Sequence, residues 1–297
     1  MTETVRTVTT AHGPRLRTIL SALVSIALVV GVFWFFLPQF TSISAVWASI
    51  RAMTWIEIGT LLLAAAWNLM TYLLVNVATM PGLRLRQAAV ATEASTAVSN
   101  TVPGGGAVGI GLNYAMFSSW GFSRSRTSVS LLVSGVWNNF AKLGLPVLAL
   151  ALLALQGSPS GGRVVAGLIG VGALVAAVVV LWLLLRSERS AVQVGVVAGR
   201  IASALRRPFG RGPVVGWELA TAKFRTRTIA LVRARWQWIT AVTVISHLSL
   251  FFVLLLALRH VGVSQAEVSW IEVLAVFAFA RLLTALPITP GGLGVVE

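Results

Sequence analysis

Apolar residues in this chain gather into long blocks rather than into the stripes of a surface helix. Thr18 to Phe36, Trp55 to Met80, Ser128 to Leu152, Val164 to Leu185, Trp236 to Leu258 and Val268 to Leu286 are almost free of charge. Each approaches or exceeds the roughly 20 residues that a helix needs to cross about 30 Å of hydrocarbon. The first block follows Arg6, Arg15 and Arg17, as in a signal peptide, but no small-residue cleavage site closes it before Pro38. It reads as an uncleaved span.

A seventh stretch, Ala88 to Phe122, is apolar but broken by glycine. Arg84 and Arg86 precede it, and Arg124 and Arg126 follow. The tendency of basic loops to stay in the cytoplasm puts both clusters on one side. The stretch is then a re-entrant hairpin turning at Pro103-Gly104-Gly105-Gly106 and returning through Val108 to Phe117. Such backbone is tolerated at membrane depth only where protein or water satisfies its polar groups. A second glycine turn, Pro290-Gly291-Gly292-Leu293-Gly294-Val295-Val296-Glu297, closes the sequence without a returning limb. The pattern therefore predicts an all-α polytopic membrane protein with six full spans, one re-entrant hairpin and a second broken element at the C-terminus.

The organisation expected from this pattern is a cytoplasmic tail at 1–17, a first transmembrane half at 18–185 with the re-entrant segment near 88–122, a basic loop at 186–235 and a second transmembrane part at 236–297, read as truncated. The loop holds 11 of the 23 basic residues against Glu188 and Glu218. Its stretches Ser190 to Leu205 and Val214 to Ala234 suit interfacial helices or a solvated connector. Only Arg51, Arg163 and Arg259 fall in the opposite loops, so the expected location is the cell membrane, multi-pass, with the N-terminus cytoplasmic.

Composition narrows the class further. Hydrophobic residues make up 57% and charged residues 10%, where soluble proteins carry about 25% charged. The net charge of +15 lies mostly between apolar blocks, which suits anionic headgroups and argues against nucleic acid. With no cysteine and only His12, His247 and His260, no metal site or cofactor is expected. There is no Walker A sequence, so direct ATP driving is not expected, and there is no aspartate, which weakens an acid/base enzyme reading.

Isolated polar groups inside the blocks are the candidate chemistry. Lys142 lies deep in its span, where it either snorkels or meets an anionic ligand or partner. Arg281, nine residues before Pro290, offers a fork of donors to a phosphate or carboxylate; the structural alternative is a pair with Glu93 or Glu272. Glu93, ten residues before Pro103, could neutralise Lys142 or read a cationic headgroup. Asn113, Tyr114 and Asn138 add neutral contacts, and Asn138 shares a helix face with Lys142. His247 reads as a packing histidine in preference to a proton relay. Amides at the glycine turns could cradle a phosphate, or the glycines could serve only close helix packing. Trp55-Ile56-Glu57 recurs as Trp270-Ile271-Glu272, a weak hint of duplication with no constant period.

Val102-Pro103-Gly104-Gly105-Gly106-Ala107-Val108-Gly109, the following Ser119-Trp120-Gly121-Phe122, and the motif from Pro290 to Glu297 together resemble the lysylphosphatidylglycerol synthase transmembrane family of flippase-like membrane proteins. The resemblance spans roughly residues 15 to 297. It implies handling of membrane lipids, with Gly104, Gly105, Gly106, Pro290, Gly291, Gly292, Gly294 and Glu297 around a central headgroup site. Members often carry an arginine soon after the first glycine turn, where this chain has Asn113-Tyr114-Ala115-Met116. The expected function is translocation of an anionic phospholipid or polyprenyl-linked lipid between leaflets, more a transporter than a catalyst. The alternatives are a membrane enzyme acting on lipid-linked glycans or aminoacyl lipids, and a scaffold. Membrane lipids are the expected partners, with room for a membrane-protein partner or a homo-oligomer.

Overall fold

A computed structural model describes residues 43–101, 105–157, 161–187 and 217–284, with isolated positions 189, 192, 193, 196, 200 and 203 between the last two stretches. The expected first span, Pro103, Gly104, and the motif from Pro290 to Glu297 lie outside these residues. All regular structure among the described residues is helical. In chain order the helices are α1 (Ile43–Ala52), α2 (Trp55–Thr79), α3 (Leu85–Thr101), α4 (Gly105–Ser119), α5 (Arg124–Gln156), α6 (Gly161–Arg186), α7 (Trp217–His260) and α8 (Trp270–Leu283). The short α1 lies in a stretch that hydropathy left unassigned.

Among the described residues, three helical stretches are long and apolar enough to cross a membrane: Trp55–Thr79, Arg124–Gln156 and Thr221–His260. The protein is a multi-pass membrane protein. Their apolar side chains are widely exposed, for example Leu63 at 72% and Phe252 at 52%, because lipid takes the place of a water-shielding layer. The expected span from Trp236 and the expected interfacial helix ending at Ala234 are one helix. α7 runs unbroken for 44 residues, about 66 Å at 1.5 Å per residue, roughly twice the hydrocarbon thickness.

Local chemistry sets the ends. Thr54 and Glu57 form a reciprocal capping box at the start of α2, and Ser269 and Glu272 form another at the start of α8. The recurring Trp-Ile-Glu tripeptide thus marks two helix starts of the same kind. After α2 the chain turns through Gly82, and after α4 through Gly121, both with positive φ that other residues adopt at a cost. Ser123 then caps α5 by accepting from the Arg126 amide.

α3 and α4 form an antiparallel helical hairpin. A Cβ on Gly105 would collide with the carbonyls of Val98 and Ser99, and one on Gly109 with the Ser99 hydroxyl. The two backbones approach that closely only because these positions are glycine. At the hairpin's base Met80, Leu83, Ala88, Ala91 and Phe117 form one buried cluster, and Arg126 donates to the Pro81 carbonyl. Both ends of the hairpin therefore lie at the same end of the bundle.

α7 packs along α2, and α5 packs against both α7 and α8. Two apolar clusters hold this bundle. One joins Ala78, Val129, Val133, Ile239 and Val242 near the basic end. The other joins Leu145, Ala149, Phe251, Val273, Leu274, Phe277 and Ala278 near the opposite end.

Candidate functional site

A polar layer lies between those two clusters. On α5, Lys142 falls between Val133 of one cluster and Leu145 of the other; on α7, His247 falls between Val242 and Phe251. Arg281 lies one turn beyond Phe277 on α8, which packs against α5. Lys142 is 8% exposed and His247 3%. Arg281 acts electrostatically on both, and Lys142 on His247, so three helices direct their basic groups into one region.

Their depth agrees. Lys142 is 14 residues from the end of α5, His247 is 13 from the end of α7 and Arg281 is 11 from the start of α8. At 1.5 Å per residue these are about 16 to 21 Å from the same end of the bundle, well inside a hydrocarbon layer of roughly 30 Å.

The layer is short of partners. Among the described residues no carboxylate forms an ion pair with Lys142 or Arg281; the ion pair present joins His260 to Glu57 at 3.9 Å. The Arg281 Nε, the His247 Nε2 and the hydroxyls of Ser246 and Ser249 are buried without a hydrogen bond. His247 is held through Nδ1, which lies 3.0 Å from the Thr243 carbonyl and must donate to it. That leaves Nε2 of the neutral ring as an acceptor.

α5 adds a backbone group. Pro146 lies inside the helix and has no N–H, so the Lys142 carbonyl four residues earlier loses its helical donor. A carbonyl in search of a donor therefore lies at the same level of α5 as Lys142.

Orphaned polar groups of this kind are costly in a dry interior, and two cations close together add repulsion. An anion with several acceptor oxygens would answer the repulsion and the unpaired donors, taking charge-assisted bonds from Lys142 and the guanidinium. Among the described residues no group of three His, Cys, Asp or Glu could hold a metal ion.

The remaining expected site residues are placed as follows. Asn138 is half-buried one turn before Lys142 on α5. Tyr114 binds Ser128 at 2.6 Å and ties α4 to α5, while Asn113 is half-buried on α4. Glu93 is exposed on α3 and makes no ion pair with Lys142 or Arg281. Glu272, the other partner considered for Arg281, serves the α8 capping box. Gly105 is packed against α3, whereas Gly106 is exposed with open space around it. Gly104, Pro290, Gly291, Gly292, Gly294 and Glu297 fall outside the described residues.

Sequence alone did not show two features of the layer. His247 read as a packing histidine, and its electrostatic neighbours come from α5 and α8. The freed Lys142 carbonyl had a visible signal, a proline four residues downstream.

A family model for the lysylphosphatidylglycerol synthase TM region matches residues 22–297. The chain belongs to that family. No curated protein and no solved structure matches it.

Proposed function

We propose that this member of the lysylphosphatidylglycerol synthase TM region family moves a lipid with an anionic headgroup, a phospholipid or a polyprenyl-linked lipid, between leaflets, and that the headgroup passes through the layer of Lys142, His247 and Arg281. The observation that carries the reading is the set of basic groups that have no carboxylate partner among the described residues, held between two apolar clusters. Ionisable residues inside a membrane usually mark a pathway or a ligand. Here the missing countercharge is the passenger's.

Membership in a lipid-associated family supports the same reading. So does the α3–α4 hairpin. Its arms of 17 and 15 residues are about 26 and 22 Å long, short for a crossing but suitable for entering and leaving at one face. Gly106 at its tip has open space beside it, and backbone amides there are suited to a phosphate oxygen. Transport of this kind needs no catalytic group, only a polar path that lowers the cost of desolvating the headgroup.

Reconstituted vesicles with a labelled anionic phospholipid test the reading. Lys142→Ala or Arg281→Ala should slow translocation at least tenfold, equivalent to about 1.4 kcal/mol on the barrier, with thermal unfolding still cooperative. Wild-type rates in both variants would remove the layer from the mechanism.

A further inference from the structure

A second set of arginines lies far from the polar layer. Where α2 ends, α5 begins and α7 passes, a cleft of about 450 Å³ is lined by Thr79, Pro81, Ser123, Arg126, Arg227 and Arg235, among others, and, among the described residues, by no carboxylate. From Arg126 to Lys142 is 16 residues along α5, about 24 Å. The cleft and the layer are separate places.

Other arginines of this protein have structural work. Arg225 donates from Nε to the Leu185 carbonyl at 2.9 Å and from a terminal nitrogen to that of Arg186, closing the end of α6. Arg259 locks the turn between α7 and α8. Arg126 is half committed, through Pro81. Arg227 and Arg235 differ: among the described residues neither takes a hydrogen bond or an ion pair. Eight residues apart on α7, they lie on one side of it with Leu231 between them, and that side lines the cleft.

The level of the cleft is also informative. Trp236 and Trp238, 51% and 48% exposed, follow directly after Arg235, at the point where α7 changes from basic to apolar. Exposed tryptophans at such a change mark the headgroup level of a bilayer. The capped start of α5, with Ser123 at its N-cap, opens onto the same cleft and adds the favourable end of a helix dipole to the three guanidinium groups.

We infer that this cleft is a binding site for the phosphate of an anionic phospholipid, held at the bilayer surface by Arg126, Arg227 and Arg235. The lipid's acyl chains lie along the apolar surface that begins at Trp236, and its net negative charge answers guanidinium groups that have no carboxylate among the described residues. A phosphate diester offers two free oxygens, which match the paired donors of a guanidinium. A zwitterionic lipid carries the same phosphate together with a cation that this cleft has nothing to receive. The site does not depend on translocation, since it is defined by equilibrium binding.

The test uses the full chain in neutral detergent micelles with phosphatidylglycerol bearing a fluorescent acyl chain. Unlabelled phosphatidylglycerol should displace the probe, phosphatidylcholine with the same chains should do so roughly tenfold less well, and millimolar inorganic phosphate should not. Arg227→Gln with Arg235→Gln should weaken binding by roughly tenfold, while Arg86→Gln with Arg233→Gln, which removes two exposed charges outside the cleft, should change it less than about twofold. Arg126 is left intact because it holds the turn at Pro81. Equal losses in the two double variants would replace the site by a diffuse positive field and overturn the inference. Displacement by inorganic phosphate as effective as by phosphatidylglycerol would overturn the lipid assignment. Because binding is read without transport, loss of either result leaves the other reading standing on its own experiment.

Discussion

The polar layer and the rim where α7 turns into α8 treat charge in opposite ways. At the rim every charged group is engaged. The Ser264 amide donates to Glu267 at 2.7 Å and the Ser269 amide to Glu272 at 2.9 Å. Arg259 donates to the carbonyls of Val263 and Val268 and to Gln265. Water is available there, yet the protein supplies the partners itself. In the layer, where water is scarce and an unpaired group costs most, Lys142 and Arg281 have no carboxylate partner among the described residues. The contrast is what supports the proposal that the layer receives a charge brought from outside.

Supplying that charge permanently is the sharpest way to break the contrast. His247→Glu would set a carboxylate between two cations, and it should reduce translocation by at least about tenfold while raising the unfolding temperature, because a buried ion pair replaces uncompensated cations. Transport at the wild-type rate in a stabilised variant would show that the layer is not on the path.

Next in size is the rim. Arg259→Ala removes three hydrogen bonds from a turn that depends on them and should destabilise the protein by about 2 kcal/mol, measured by thermal unfolding in detergent, with translocation little changed. A loss of transport larger than the loss of stability would mean that the two regions are coupled.

The smallest effect is at Glu267. Its carboxyl is held below the usual carboxylate value, first by the Ser264 amide, then by the Ser264 hydroxyl and by the charge of Arg259. A depressed value in the folded state adds stability that is complete above the unfolded value and lost as pH falls through the folded one. Acidification below about pH 4.5 should therefore destabilise wild type slightly more than Glu267→Gln. Parallel acid profiles for the two proteins would show that the cap contributes nothing.

How much of this was legible in the sequence varied with the range of the interaction. Hydropathy marked the α2 and α5 spans and the apolar half of α7, because a lipid-facing helix must be apolar along its whole length. It divided α7 at Trp236, since charges and apolar residues look like two elements when they are one helix crossing two solvents. Lys142 and Arg281 stood out as lone charges among apolar neighbours. Their meeting with His247 depends on how α5, α7 and α8 pack, which periodicity does not encode. The Pro103 turn showed two roles to the eye; packing accounts for Gly105 and Gly109, and Gly106 remains open. Trp-Ile-Glu looked like a remnant of duplication, and in both places it belongs to a helix cap.

The unbroken run of α7 has a consequence of phase. An α-helix turns by about 100° per residue, and 16 residues separate Leu231, at the centre of the arginine-lined side, from His247. The two therefore look out about 160° apart in azimuth as well as about 24 Å apart in height. Arg126 and Lys142 on α5 are separated by the same 16 residues, and so by the same angle. No straight furrow on either helix joins the surface cleft to the interior layer. A headgroup that visits both follows a winding course around the helices, a staircase rather than a slide.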